Sequence, residues 1–291
     1  MSRNHDWLGI MKFVVDSNRL QSDELRAFLQ RSSNNIAVIT DFAAMEAYKG
    51  DTLSSIYKSM QVLSDYPRQV WILKGSAKVF RLTGKRKGLQ RRLVDKPQTR
   101  GFPAYIKTLA LGQSGNLHVQ RQLLQHGQSS QAHFDKMLID AEGMKPAFES
   151  LTSAYTKGER ALIRNGGEYT SEMVGKLGKT LIEISGLIFT ESPLLHQSPS
   201  YDELPNTFPF RVALCCYLMA IRRGALGGLA NARPDRIRND IVDMIFVAYG
   251  TYFDGILSED KNVRLIFDEA RVLISGLFGG EIPSLPSAGA Q

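Results

Sequence analysis

Residues 238–260 read RNDIVDMIFVAYGTYFDGILSED. Ile241, Ile245 and Ala248 recur at helical spacing, and Met244 and Val247 widen that apolar stripe, so the first half predicts a helix. Asp240 and Asp243 stand three apart and therefore share one face of that helix. A turn over 250–253 leads to GIL, a compact apolar run that reads as a buried strand. Ser258, Glu259 and Asp260 follow at its C-terminal end, where ligands of open parallel α/β sheets sit. Carboxylates brought to one sheet end by a helix and by a strand suit a hard cation, which takes oxygen donors.

The N-terminal quarter supplies the rest of such a sheet. Residues 11–15 predict a strand ending at Asp16-Ser17-Asn18, and Ser22 caps a helix with Asp23 and Glu24 in its first turn. Residues 36–39 predict a second strand, followed by a helix from Thr40 or Asp41 that carries Met45 and Glu46. Gly50-Asp51 interrupts it; a further helix through Ile56, Met60 and Leu63 stops before Pro67, and 70–73 gives a third strand. Strands alternating with helices imply a parallel sheet.

From Lys74 the pattern changes. Nine Lys and Arg fall within 76–100 against Asp95 alone, while the whole chain carries only +7, so the basic character is local and suits a polyanion. Gly84, Gly88, Pro97 and Gly101-Phe102-Pro103 are expected to break regular structure there. Helices are expected over about 105–111, 118–125, 131–142, 145–165 and 171–190. A proline-bearing loop spans 192–209, and an apolar helix spans 210–226. Cys215 and Cys216 are adjacent inside that helix; two neighbouring thiols form no disulfide framework, which fits a reducing cytoplasm. Arg222 and Arg223 interrupt its apolar run, so it reads as a buried helix and not a membrane span. The organisation expected is an α/β domain from 1–75 plus 230–278, a basic loop and mostly α-helical insertion over 76–229, and a disordered tail over 279–291.

Acids thus stand after strands or on nearby helices at Asp16, Glu46, Asp240 with Asp243, and Asp260. FVVDSN at 13–18, TDFAAME at 40–46 and NDIVD…YFDGILSED over 239–260, in this strand–helix order, resemble the PIN-like nuclease family. The resemblance covers about 11–75 and 234–275. It implies a three-layer α/β/α fold with a central, mainly parallel sheet. It also implies acids gathered in one cleft that bind Mg²⁺ or Mn²⁺ and hydrolyse phosphodiester bonds, usually in RNA. Dimers are frequent in that family, and such domains serve as toxins or defence effectors with inhibitor partners; these are expectations by analogy alone. The long insertion departs from the family pattern.

Chemistry assigns provisional roles. Clustered carboxylates repel and protonate or splay unless a cation neutralises them. A cation lowers the pKa of a bound water and stabilises a leaving oxygen. Asp16 and Asp260 are expected as direct ligands, Asp240 or Asp243 completes the site, and Glu46 is an outer ligand or water-orienting group. Asn18, Asp254 and Ser258 are auxiliary candidates, and Lys85, Arg86, Lys87, Arg91 and Arg92 are expected to hold a nucleic-acid backbone.

Each residue also has a plainer reading. Asp16 could be a turn residue, Asp41 an N-cap, Asp240 the surface partner of Arg236, and Asp260 the cap of the next helix. The basic run could be a solvated loop. His118, His126, His133 and His196 lack metal-ligand spacing. A metal-dependent nuclease is the leading expectation. A catalytically inactive nucleic-acid-binding or scaffold module, and a Mg²⁺ enzyme acting on a small phosphate ester, are the rivals.

Overall fold

The structure is a computed structural model that describes residues 10–192, 195, 199–228 and 232–278, with the backbone alone at 277–278. The expected tail, 279–291, lies outside the described residues, as does His196.

Four short parallel strands form one sheet. β1 (Lys12–Val15), β2 (Ile36–Ile39), β3 (Val70–Ile72) and β4 (Gly255–Leu257) lie in the order β3-β2-β1-β4. Their register is fixed by the pairs Val14↔Val38, Val38↔Trp71 and Val14↔Ile256. Alternation along the strands sends side chains to two different cores. Val14, Ile36 and Val38 join one apolar cluster, whereas Val15, Ala37, Ile39 and Val70 join the other. Both faces are therefore covered, which is the condition under which an all-parallel sheet is found.

The crossover helices form where apolar period and caps agree. Ser22 accepts from the Leu25 amide to open α1 (Asp23–Arg31), and Leu25, Phe28 and Leu29 are its buried face. Thr40 caps α2 (Asp41–Glu46) through the Ala43 amide. After Gly50, which needs φ 87°, α3 (Thr52–Asp65) buries Ile56, Met60 and Leu63. The face of α1 and α3 also takes Phe102 and Leu109 from a helix of the middle segment.

That middle segment is more regular than its glycines and prolines suggest. Two short helices, α4 (Ser76–Val79) and α5 (Leu89–Leu93), interrupt the basic run. The expected break at 101–103 does not occur. α6 (Lys96–Gln113) runs through it, capped by Asp95, with Pro97 in its first turn. Nor do separate helices stand at 118–125, 131–142 and 145–165, the last of which is divided between 153 and 157. α7 (Leu117–Ser153) is one helix of 37 residues, and Pro146 lies inside it. A helical glycine costs only about 1 kcal/mol relative to alanine, too little to end a helix held by packing on both sides. Close crossings explain some of these glycines: a Cβ on Gly127 would sit 2.6 Å from Thr52, and one on Gly224 2.2 Å from Thr152.

α8 (Lys157–Arg164) and α9 (Ser171–Glu191) follow, and then α10 (Phe208–Ala225), whose buried face includes both unpaired cysteines. The expected loop over 192–209 is shorter at its end, because a 3-10 turn over Leu204–Asn206 and Pro209 in the first turn of α10 bring order earlier. α11 (Pro234–Gly250) packs on α7, α10 and β1, and α12 (Lys261–Phe278) packs on α10 and α11. Among the described residues, no helix is long and apolar enough to cross a membrane.

Candidate functional site

The connections run from β1 outward to β2 and β3, and the last strand returns on the opposite side of β1. The crevice at the C-terminal ends of β1 and β4 is therefore the point where strand order reverses, the usual ligand position in such sheets.

Asp16 leaves β1 at this point. Its amide donates to the Leu257 carbonyl at 2.9 Å, continuing the β1–β4 ladder by one rung. Its Oδ2 accepts from Ser258 Oγ at 2.6 Å and from Asn18 Nδ2 at 2.8 Å. Burial pushes the Asp16 carboxyl above its ordinary value, against the lowering pull of those donors. Glu46, at the end of α2, is bound to this centre through Ser17, whose hydroxyl donates to Glu46 Oε2 at 2.6 Å. Burial, and secondarily Asp16, push Glu46 upward, while Ser17, Lys49 and Arg238 pull it down.

The two aspartates of α11 separate clearly. Asp240 is 8% exposed and paired with Arg223 of α10, not with Arg236 as expected of a surface pair within one helix. Arg236 acts on it only at longer range. Asp243, one turn later, accepts no hydrogen bond and makes no ion pair among the described residues. Burial and then the negative charges of Asp16, Asp240, Asp260 and Glu46 push it up to about 8. Five acids from four separate stretches thus act on one another.

Ser258 and Asn18 stand in the site, but other expected members do something different. Asp260 is exposed, and its Oδ1 accepts from the Asn262 amide at 2.6 Å at the start of α12; it is a local helix cap whose charge reaches Asp243 only at a distance. Asp254 is not in the site. It precedes β4 and accepts from the Lys12 amide at 2.8 Å, at the end of the sheet where strands enter. Asp41 is not the cap of α2, since Thr40 takes that role; its Oδ2 instead accepts from the Ser76 amide at 2.6 Å.

Within the basic run, Lys85, Arg86, Lys87 and Arg91 are exposed and carry no ion pair among the described residues. Arg92 is different: it donates to Thr83 O at 2.9 Å and to the Lys85 carbonyl, so it holds the loop together. The same helix, α5, is anchored by Gln90, which donates to Tyr252 O in the turn entering β4.

Sequence reasoning missed Ser17 and Arg223. Ser17 adjoins Asp16, but a hydroxyl there has no period or motif to mark it. Arg223 had a signal: an unbalanced charge inside an apolar helix needs a buried partner.

A divalent cation can be tested against this set. The donors are hard oxygens, and Asp243 and one oxygen of Glu46 have no protein donor facing them. Among the described residues, no three acidic, His or Cys side chains are spaced as a ligand set. The oxygens of Asp16, Glu46 and Asp243 are of the hard type that Mg²⁺ or Mn²⁺ takes, but they are not gathered into a ligand set. No protein-family model, curated protein or solved structure matches this chain.

Proposed function

We propose that the chain is a metal-dependent nuclease of PIN-like architecture that hydrolyses phosphodiester bonds, with RNA as the favoured polymer. The observation that carries this reading is Asp243: a carboxyl with no donor or ion-pair partner among the described residues, raised first by burial and then by four other acids, at the crevice where strand order reverses. Asp16, Glu46 and Asp243 hold Mg²⁺ or Mn²⁺, which supplies an acidified water and offsets charge on the leaving oxygen. Asp240 is left to Arg223 and Asp260 to the cap of α12, so neither is a direct ligand.

The remaining groups position these ligands. Ser258 and Asn18 fix the rotamer of Asp16, and Ser17 fixes Glu46. Arg238 and Lys49 lie close enough to lower Glu46 and are suited to a phosphate at the rim. The exposed Lys85, Arg86, Lys87 and Arg91 offer a second, separate contact for the polymer backbone.

Labelled RNA and DNA incubated with Mn²⁺, Mg²⁺ or chelator test the reading. Cleavage that requires a cation, and that is lost in Asp16→Asn and Asp243→Asn proteins of native fold, supports it. Salt-sensitive binding without cleavage supports an inactive binding module, the second reading favoured by the wide spacing of the acids. Turnover of a small phosphate ester alone supports the third.

A further inference from the structure

A cavity of about 650 Å³ lies away from the acids, on the α1–α3 side of the sheet. Its floor is Ile39 of β2 and Ile72 of β3, and its walls are α2, α3, α6 and α7. The size is that of ligand pockets, which run from about 300 to 1,000 Å³. Its lining is uneven in a way that specifies a ligand. The interior is aliphatic and aromatic, and no Lys, Arg, Asp or Glu lines it. Two exposed imidazoles, His126 and His133, stand on one wall, with Ser129 and Ser130.

A polar pair is set into the lining beside His126. The hydroxyls of Tyr48, just past the end of α2, and Tyr105 on α6 are 3.0 Å apart. Two phenols sharing one hydrogen bond use one of their two protons, so the other has no acceptor among the described residues. A partly buried donor without an acceptor costs free energy unless something accepts from it. His126 lies near this pair, its ring centroid 6.2 Å from that of Tyr48.

We propose that this cavity binds an uncharged small molecule with an apolar body and a carbonyl or ether head that accepts from the Tyr48–Tyr105 pair. The absence of lysine and arginine from the lining disfavours an anionic head. The sheet residues on the floor and the apolar faces of α2 and α3 contact the body. The proposal is independent of the nuclease reading, because it uses none of the acids.

The test uses Nile red, an uncharged fluorophore with a carbonyl head, and the full chain. Saturable binding near one per chain with blue-shifted emission is expected. Ala44→Phe, which fills the interior, is expected to weaken it at least tenfold. Ser129→Trp, on the exposed side of α7 and so harmless to folding, narrows the wall and is expected to weaken it as well. Tyr48→Phe with Tyr105→Phe is expected to cost about tenfold and to shift the emission of whatever dye still binds. Binding that does not saturate, or that neither Ala44→Phe nor Ser129→Trp alters while circular dichroism shows native helix, would overturn the proposal. Saturable binding unchanged in the double tyrosine variant would overturn the assignment of the head.

Discussion

The hydroxyl of Ser258 donates to Asp16 Oδ2 at 2.6 Å, joining positions 242 residues apart in the chain. Ser258 is 3% exposed, so this bond forms out of bulk water, where a charge-assisted hydrogen bond is stronger. It holds the carboxylate of the first strand against the end of the last, and it gives the acids a rigid reference point. In turn it passes order on, since the same oxygen, Ser258 Oγ, accepts from the Asp260 amide at 3.2 Å.

Ser258→Ala is therefore expected to leave Asp16 in place but held at Oδ2 by Asn18 alone. Loss of such a supporting group costs about 10–100-fold in metal affinity or activity. Asp16→Asn is expected to abolish cleavage. Mn²⁺ titration together with polymer cleavage reads both, and equal, small effects of the two changes would exclude the positioning role.

Asp243 links the site to pH. Its carboxyl sits at about 8 in the fold against an ordinary 3.8, so between those values the folded chain holds a proton that the unfolded chain has lost. Stability then falls as pH rises through this window. Asp243→Asn should flatten the fall and raise the melting temperature at pH 8.5 by roughly 2–4 °C for each kcal/mol regained. Mn²⁺ should stabilise the wild type at that pH and not the variant. A variant whose melting temperatures between about pH 5 and 8.5 matched those of the wild type would contradict the assignment.

Asp240→Ala should behave in the opposite sense. It strands Arg223 in a half-buried setting and is expected to cost roughly 2 kcal/mol, below the full penalty for a buried pair because Arg223 retains some solvent. Mn²⁺ affinity should persist. Chemical denaturation and Mn²⁺ titration separate the two aspartates, and a variant that loses metal binding without losing stability would reverse their roles.

The basic loop divides the same way. Replacing Lys85, Arg86, Lys87 and Arg91 with Gln should weaken polymer binding and lower the log–log salt slope, by about 0.7 for each single-strand phosphate no longer neutralised. Arg92→Gln should instead lower thermal stability, through loss of its bonds to Thr83 and Lys85. A salt slope unchanged in the fourfold variant would remove this loop from the interface.

Gly224→Ala tests the crossing of α7 and α10. The new methyl meets Thr152 at 2.2 Å, far inside van der Waals distance, and should cost about 1–3 kcal/mol. Thr152→Ala removes the two nearest atoms but keeps the Cβ at 2.6 Å, so it should recover only part of that loss in a double-mutant cycle. Strict additivity of the two would show that the strain lies elsewhere.

Much of this arrangement is readable from residues near one another in sequence. FVVDSN and GILSED are apolar runs cut off by polar residues, which is enough to give a buried strand and to place Asp16 and Ser258 at its exit. The caps at Ser22 and Thr40 are equally local. Pairings across distance are not legible. Asp240 looks like a partner for Arg236 because both lie on one helix, yet α10 brings Arg223 to it. Asp254 precedes and Asp260 follows the same short strand, so chain order already separates them, and the reading of Asp260 as a helix cap is the one the structure has. The 37-residue α7 is hidden for a related reason, since glycines such as Gly127 face tight neighbours like Thr52 and mark crossings, not ends.

α2 has only six residues, and they look two ways. Glu46 reaches Ser17 and the acids, while Met45 and Tyr48, immediately before it and just past the helix end, line the cavity. So short a helix has no slack with which to absorb a push on one side. A molecule against Met45 would lie one residue from Glu46, so the greasy hollow and the charged crevice share a single turn of backbone.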